Sequence, residues 1–197
     1  LLTTMAGLEK YRKAAETGEN EFSNFVNYAV KKKPEGKYKL HRILMIFGYI
    51  AFGLLYVTVC LVFTKLPMLI AVLPLLTWIL VYFTWLWVNI EYEYMIIGGN
   101  LRMLEVYGSR YYRVLCDVKI SSFEKLAPYS GEYADLADSA DIARRIDASS
   151  SLTNPDIYYG IYTESGERRV IFFEVAEKTL KLLKYYNPDV VMTKTRR

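Results

Sequence analysis

The chain has 197 residues, of which 53% are hydrophobic and 23% are charged, and its formal net charge is +4. This length allows one ordinary domain plus additional elements. Residues 1–42 hold nine Lys and Arg against five Asp and Glu, whereas residues 91–197 hold fifteen against sixteen. Binding to nucleic-acid phosphates requires an excess of positive charge, so the near-neutral C-terminal region argues against a nucleic-acid partner.

Residues 1–42 are predicted to form an amphipathic helical segment with a basic end. Leu8, Tyr11 and Ala15 share one helical face. A second apolar stripe with helical spacing consists of Phe22, Phe25, Val26, Ala29 and Val30. Two interpretations remain open. The stripe lies on an anionic membrane surface, or it packs on the rest of the protein or on a partner while the lysines act only as topology signals.

Two long uncharged stretches follow this segment. Ile43 to Thr64 contains 22 residues without a charge, and Leu66 to Ile90 contains 25, with only Lys65 between them. A helix needs about 20 apolar residues to cross a bilayer. The apolar core of a signal peptide is shorter and lies near the N-terminus. Residues 43–90 are therefore predicted to form a two-helix transmembrane hairpin, with the lipid bilayer as partner.

Basic residues beside the first stretch predict the orientation of the hairpin. Such residues resist translocation, and the loop between the helices offers only Lys65, so both termini are expected in the cytoplasm of a two-span cell-membrane protein. The predicted membrane-surface contacts are Lys31, Lys32, Lys33, Lys37, Lys39, Arg42, Trp85 and Trp87. Neither helix contains an acidic residue or a histidine. A channel or transporter acting alone is therefore disfavoured.

Residues 91–190 change to the two-residue period of β-strands. A tight turn at Gly98-Gly99-Asn100 indicates a first hairpin. The predicted strands are Glu91–Ile97, Leu101–Tyr107, Arg110–Ile120, Ser122–Ala127, Ile157–Thr163 and Arg168–Val175. Residues 131–154 look like a helical insertion, with an apolar stripe of Tyr133, Leu136, Ala140, Ala143 and Ile146. A final helix starts near Ala176 and stops at Asn187-Pro188, leaving residues 191–197 as a tail.

Two segments of the C-terminal region resemble a known family. They are YEYMIIGGNLRMLEVYGSRYYRVLCDVKISSFEKLAPY and YYGIYTESGERRVIFFEVAEKTLKLL. Together with the basic segment and the hairpin, they resemble the bacterial membrane-anchored PH-like domain proteins, a family of small two-span membrane proteins. The resemblance implies an α+β fold in which the transmembrane hairpin precedes a PH-like, mainly antiparallel β-barrel or sandwich closed by a C-terminal α-helix. Fold alone does not give function.

No catalytic, cofactor-binding or metal-binding residue is predicted, and the chain is not expected to be an enzyme. The only histidine, His41, lies beside the first span, which removes the usual centre of acid–base, triad and zinc sites. Asp135, Asp138 and Asp141 have helical spacing but are expected to form a solvated face rather than a metal site. Cys116 is expected to be a reduced, buried hydrophobe.

Two functional interpretations follow. The first is a non-enzymatic scaffold or accessory subunit that presents an interaction surface, where exposed members of the pairs Tyr111-Tyr112 and Tyr158-Tyr159 contact a protein partner or a second copy. The second is a sensor of anionic lipid that uses the basic juxtamembrane segment.

Four arginines lie near predicted strand or turn ends. They are expected to point into solvent from the faces of the strands rather than to bind lipid; they are Arg110, Arg113, Arg168 and Arg169.

Overall fold

The computed structural model describes residues 3–4, 26–130, 133–138 and 141–193. The chain divides into two compact units. One unit is the segment Lys33–Ile90, and the other comprises the chain before and after it. The first is helical and the second is built mainly of strands.

The helical unit contains two long apolar helices. Helix α1 runs over Gly36–Thr58 and continues through one π-helical turn, Val59–Phe63. Helix α2 begins as a 3₁₀ segment at Pro67, where a missing backbone N–H costs nothing, and it ends at Val88. Both helices are long and apolar enough to cross a membrane. The predicted pair of helices is thus present, and α1 starts seven residues before the predicted Ile43.

Tyrosine hydroxyls join the two helices along their length. Tyr49 Oη lies 2.7 Å from Thr84 Oγ1, and Tyr56 Oη donates to the backbone carbonyl of Leu69 at 3.0 Å. Residues far apart in α1 and α2 are therefore paired in antiparallel order, as a hairpin requires.

The first sheet of the other unit has five strands in the order β1-β5-β4-β3-β2. Its strands are β1 (Thr3–Thr4), β2 (Val26–Lys31), β3 (Ile90–Ile97), β4 (Asn100–Tyr107) and β5 (Tyr111–Lys119). The turn between β3 and β4 uses Gly98 and Gly99, whose φ angles are 55° and 81°. Glycine adopts such angles without steric cost, so this turn is formed as predicted.

The second sheet has four strands in the order β6-β8-β9-β7. Its strands are β6 (Phe123–Pro128), β7 (Arg144–Asp147), β8 (Ile157–Glu164) and β9 (Glu167–Glu174). Strand β7 pairs parallel with β9, whereas the other pairs are antiparallel. A short helix, α3 (Ala134–Ala137), lies between β6 and β7 in the chain.

The predicted C-terminal helix is present as α4 (Glu177–Tyr186). It buries Thr179 and Leu183, and the chain beyond it forms a parallel bridge from Val191 to Leu126 of β6. The two sheets do not join into a closed barrel, because no strand pairing links one sheet to the other among the described residues. The domain is therefore an open arrangement of two sheets rather than the closed barrel that the family resemblance allowed.

The predicted helix over Phe22–Val30 is wrong in its described part. Val26–Lys31 forms the edge strand β2, which pairs antiparallel with β3 from Val26 opposite Ile96 to Lys31 opposite Glu91. Buried Val26 and Val30 are four residues apart, a spacing that fits a helical face and one face of a strand equally well. Phe22, Phe25 and the helix predicted nearer the N-terminus lie outside the described residues.

The predicted helical insertion over residues 131–154 is also largely wrong. Within its described part only Ala134–Ala137 is helical, and Ile146 belongs to strand β7. The prediction that one ring of the pair Tyr158-Tyr159 is exposed is also wrong. Both tyrosines are buried, because both faces of β8 are covered over most of the strand.

Candidate functional site

The base of the helical hairpin gathers most of the predicted membrane-surface residues. Tyr38 Oη donates a hydrogen bond to the backbone carbonyl of Val88, which joins the start of α1 to the end of α2. The Arg42 guanidinium lies 5.6 Å from the centre of the Trp85 ring, within cation–π range. Lys33, Lys37, Lys39 and Trp87 are exposed. Cationic and aromatic side chains that are more than 40 positions apart thus share one end of the hairpin.

Two further residues predicted to contact the membrane surface, Lys31 and Lys32, belong to the strand-rich unit. Lys31 is exposed at the end of β2, with Nζ 3.6 Å from a carboxylate oxygen of Glu91. Lys32 Nζ donates to Tyr92 Oη at 2.8 Å and lies 5.3 Å from the centre of the same ring. The tyrosine therefore holds Lys32 in a defined position within the domain.

Lys32 and Tyr92 line a polar cleft of about 300 Å³, which lies between the two sheets of the domain. The strands that border it are β5 of the first sheet and β7 of the second. The full lining is Lys32, Tyr92, Glu105, Arg113, Val114, Leu115, Arg144, Arg145, Ile146 and Asp147. Sequence reasoning missed this cleft because it assigned residues 144–147 to a helix rather than to an edge strand.

An ion pair between a buried carboxylate and a half-exposed guanidinium lines the cleft on the first sheet. Glu105 of β4 stands directly opposite Arg113 of β5, and their side chains form an ion pair. Burial, with a smaller contribution from Glu105, raises the pKa of Tyr107 to about 12. Burial also raises the pKa of Tyr92, and Glu105 adds to that shift. Both hydroxyls are therefore protonated at neutral pH and act as neutral hydrogen-bonding groups rather than as bases.

The opposite wall of the cleft comes from β7 and the loop after it. Asp147 accepts hydrogen bonds from the backbone N–H of Ser149 at 3.0 Å and from its hydroxyl at 2.7 Å. Arg145 pairs with Asp138 at 2.5 Å. The described residues provide no ion-pair partner for Arg144, whose side chain is exposed. This wall therefore contributes one cation that the described protein does not neutralise.

Two of the three carboxylates predicted to form a solvated face hold arginines. Asp138 contacts Arg145, and Asp141 contacts Arg168, which also reaches Glu124 at 2.9 Å. Among the described residues, no group of three His, Cys, Asp or Glu side chains is arranged to hold a metal ion. The described surface therefore offers ion-pair chemistry and hydrogen bonding.

Two packed sheets followed by a C-terminal helix are typical of the class of PH-like domains. The model of the family described as "Bacterial PH-like domain (DUF6106)" matches residues 22–193, so the chain belongs to this family. Neither a curated protein nor a solved structure matches the chain. The match covers the two apolar helices and every described strand except β1.

Proposed function

We propose that the chain is an integral membrane protein whose hairpin holds a non-enzymatic PH-like interaction module at the cytoplasmic face of the cell membrane. The observation that carries the proposal is the exposure of the hairpin. Only 6% of the residues in the most apolar stretch of each helix are buried. Exposure of an apolar surface of this extent to water costs free energy. Lipid covers the same surface without that cost.

A soluble core helix and a signal sequence both account less well for this pair of helices. The core helix of a soluble protein is mostly buried, whereas α1 has no buried residue over Gly36–Thr58. A signal sequence lies near the N-terminus, whereas α1 follows strand β2, which is paired with β3. The lysines and Arg42 beside the start of α1 favour a cytoplasmic location for that end.

Extraction and cysteine labelling test this proposal. We expect the full chain to stay in the membrane pellet after washing at alkaline pH. With a maleimide that does not cross membranes, Leu66→Cys in the loop between the helices should be labelled in intact cells. Lys178→Cys on the exposed face of α4 should be labelled only after lysis. Release by the alkaline wash, or the reverse labelling pattern, would show the proposal to be wrong.

A second candidate function, contact with anionic lipid, is favoured by the end of the hairpin where Arg42 lies over Trp85. Exposed Lys37 and Lys39 lie on the first turn of the same helix. Tryptophan fluorescence of the reconstituted chain should be quenched more by brominated phosphatidylglycerol than by brominated phosphatidylcholine, and salt should reduce the difference. Equal quenching by the two lipids, or a preference that survives in Lys37→Glu/Lys39→Glu, would contradict this function.

A further inference from the structure

We propose that the outer edge of β5, together with the cleft beside it, binds an extended acidic segment of a partner protein by strand addition. The inference rests on the proposed function, because it names the chemistry of a partner for the anchored interaction module. Three features of the domain support it: an open strand edge, a strand already paired at one end of that edge, and an excess of positive charge beside it.

Among the described residues, the outer edge of β5 is open over most of its length. Strand β5 has nine residues, and in this part of the chain its outer side is paired at Tyr111 and Tyr112 alone, with the two-residue β1. Within the described chain, the outer backbone groups from Arg113 to Lys119 have no strand partner. Unpaired backbone N–H and C=O groups at a sheet edge are a template for another strand. Extended peptides use such edges in β-augmentation.

Strand β1 shows that this edge accepts an antiparallel strand. Thr3 lies opposite Tyr112 and Thr4 opposite Tyr111. Among the described residues the pairing reaches Tyr112, and the next residue along β5, Arg113, is the first that lines the cleft. A guest segment would pair with β5 beyond the positions opposite Thr3 and Thr4.

Positive charge in the cleft favours an acidic guest. The lining contains four cationic side chains against two carboxylates, namely Lys32, Arg113, Arg144 and Arg145 against Glu105 and Asp147. Arg113 pairs with Glu105, and Arg145 pairs with Asp138. Arg144 has no carboxylate partner within the described residues. Complementary charge beside an open edge selects the partner and sets its register.

Strand geometry further defines the guest. Arg113 and Val114 are consecutive in β5, so their side chains point to opposite faces of the sheet. Arg113 faces Glu105, whereas Val114 is 48% exposed and offers apolar surface. A guest that alternates acidic and apolar residues places its carboxylates near the arginines and its apolar side chains near Val114. A phosphate headgroup would use the charge but not the row of backbone groups, which favours the peptide.

Peptide binding to the full chain in detergent micelles tests the inference. The probe is a fluorescein-labelled heptapeptide of alternating Glu and Val, and binding is read by fluorescence anisotropy. We expect the same peptide with Lys in place of Glu to bind at least tenfold more weakly. Arg144→Glu should weaken binding of the acidic peptide at least tenfold, whereas the matched control Lys178→Glu on α4 should bind it like the unmodified chain.

Backbone N-methylation separates strand addition from simple charge attraction. The guest strand would pair with β5 through only one of its edges. N-methylation of every second residue of the peptide should therefore weaken binding at least tenfold in one of the two possible sets of residues and should have no such effect in the other set.

Equal binding of the Glu and Lys peptides, equal effects of the two variants, or full binding of both methylated peptides would overturn the inference. Arg144-dependent binding of dioctanoyl phosphatidylglycerol without peptide binding would also overturn it, by assigning the cleft to a headgroup. Membrane extraction does not depend on peptide binding, so the proposed function can fail separately.

Discussion

Tyr94 and Phe173 pack edge to face between the two sheets of the domain, with ring centroids 6.1 Å apart and an interplanar angle of 63°. Tyr94 belongs to β3 and is 1% exposed. Its hydroxyl donates a hydrogen bond to the backbone carbonyl of Ala148, directly after β7. One side chain thus ties the first sheet to two elements of the second, which stabilises the wall of the cleft.

Replacement of this hydroxyl should destabilise the domain. Tyr94→Phe keeps the ring against Phe173 but leaves the buried carbonyl of Ala148 without that donor. We expect the free energy of unfolding to fall by about 1–2 kcal/mol, the typical cost of an unsatisfied buried acceptor. Chemical denaturation of the full chain in detergent measures the change. Tyr28→Phe on edge strand β2 is the control, and an equal loss in both variants would contradict the role of the Tyr94 hydroxyl.

Asn187 should stabilise the junction between β5 and β6. Its side-chain amide donates to the backbone carbonyls of Ile120 at 3.0 Å and Phe123 at 3.3 Å. Asn187→Ala removes both donors and is expected to cost about 1–2 kcal/mol. Asn27→Ala, on the exposed face of β2, should change stability by less than about 0.5 kcal/mol. Thermal unfolding in detergent compares the two, and equal stability of both variants would show that these hydrogen bonds contribute little.

The Glu105–Arg113 pair should show strong coupling. Arg113→Gln leaves the buried Glu105 carboxylate without its cation, so we expect a loss of about 1–3 kcal/mol. Half of the Arg113 side chain is exposed, and solvent screening keeps the loss toward the lower end. Adding Glu105→Gln should recover part of the stability, because the uncompensated charge is gone. A double variant that loses the sum of the two single effects would contradict the coupling.

Cys116 should be unreactive in the folded domain and should make stability depend on alkaline pH. Burial raises the pKa of its thiol to about 12 from an ordinary value of 9.0. The folded protein therefore keeps a proton that the unfolded chain loses, so this contribution is complete below about pH 9 and is lost as the pH rises toward 12. In Cys60→Ser, a thiol reagent at pH 8 should modify Cys116 only after unfolding. Rapid modification of the folded protein would contradict this prediction.

The features that could be predicted from the sequence depend on residues that are close together in the chain. The two helices follow from uninterrupted apolar residues, and the β3–β4 turn follows from Gly98 and Gly99, whose backbone freedom is a property of the residues themselves. The strand at Val26–Lys31 was not predictable in this way, since the residues of β3 with which it pairs lie 60 to 70 positions further along the chain. Tyr158 and Tyr159 were expected on opposite faces of a half-exposed strand, but packing against both faces of β8 buries both.

The sequence by itself determined the pair of apolar helices, the hairpin turns and the closing helix, because each depends on neighbouring residues and on one repeating period. Only the tertiary structure decided that β7 pairs parallel with β9 and faces β5 across a polar cleft. It also decided that Lys32 is held by Tyr92 while Lys37 and Lys39 stay exposed. These relationships arise from pairing between distant segments, and the same short polar sequence at residues 144–147 would fit a helix, a loop or an edge strand until a neighbouring strand supplies its hydrogen bonds.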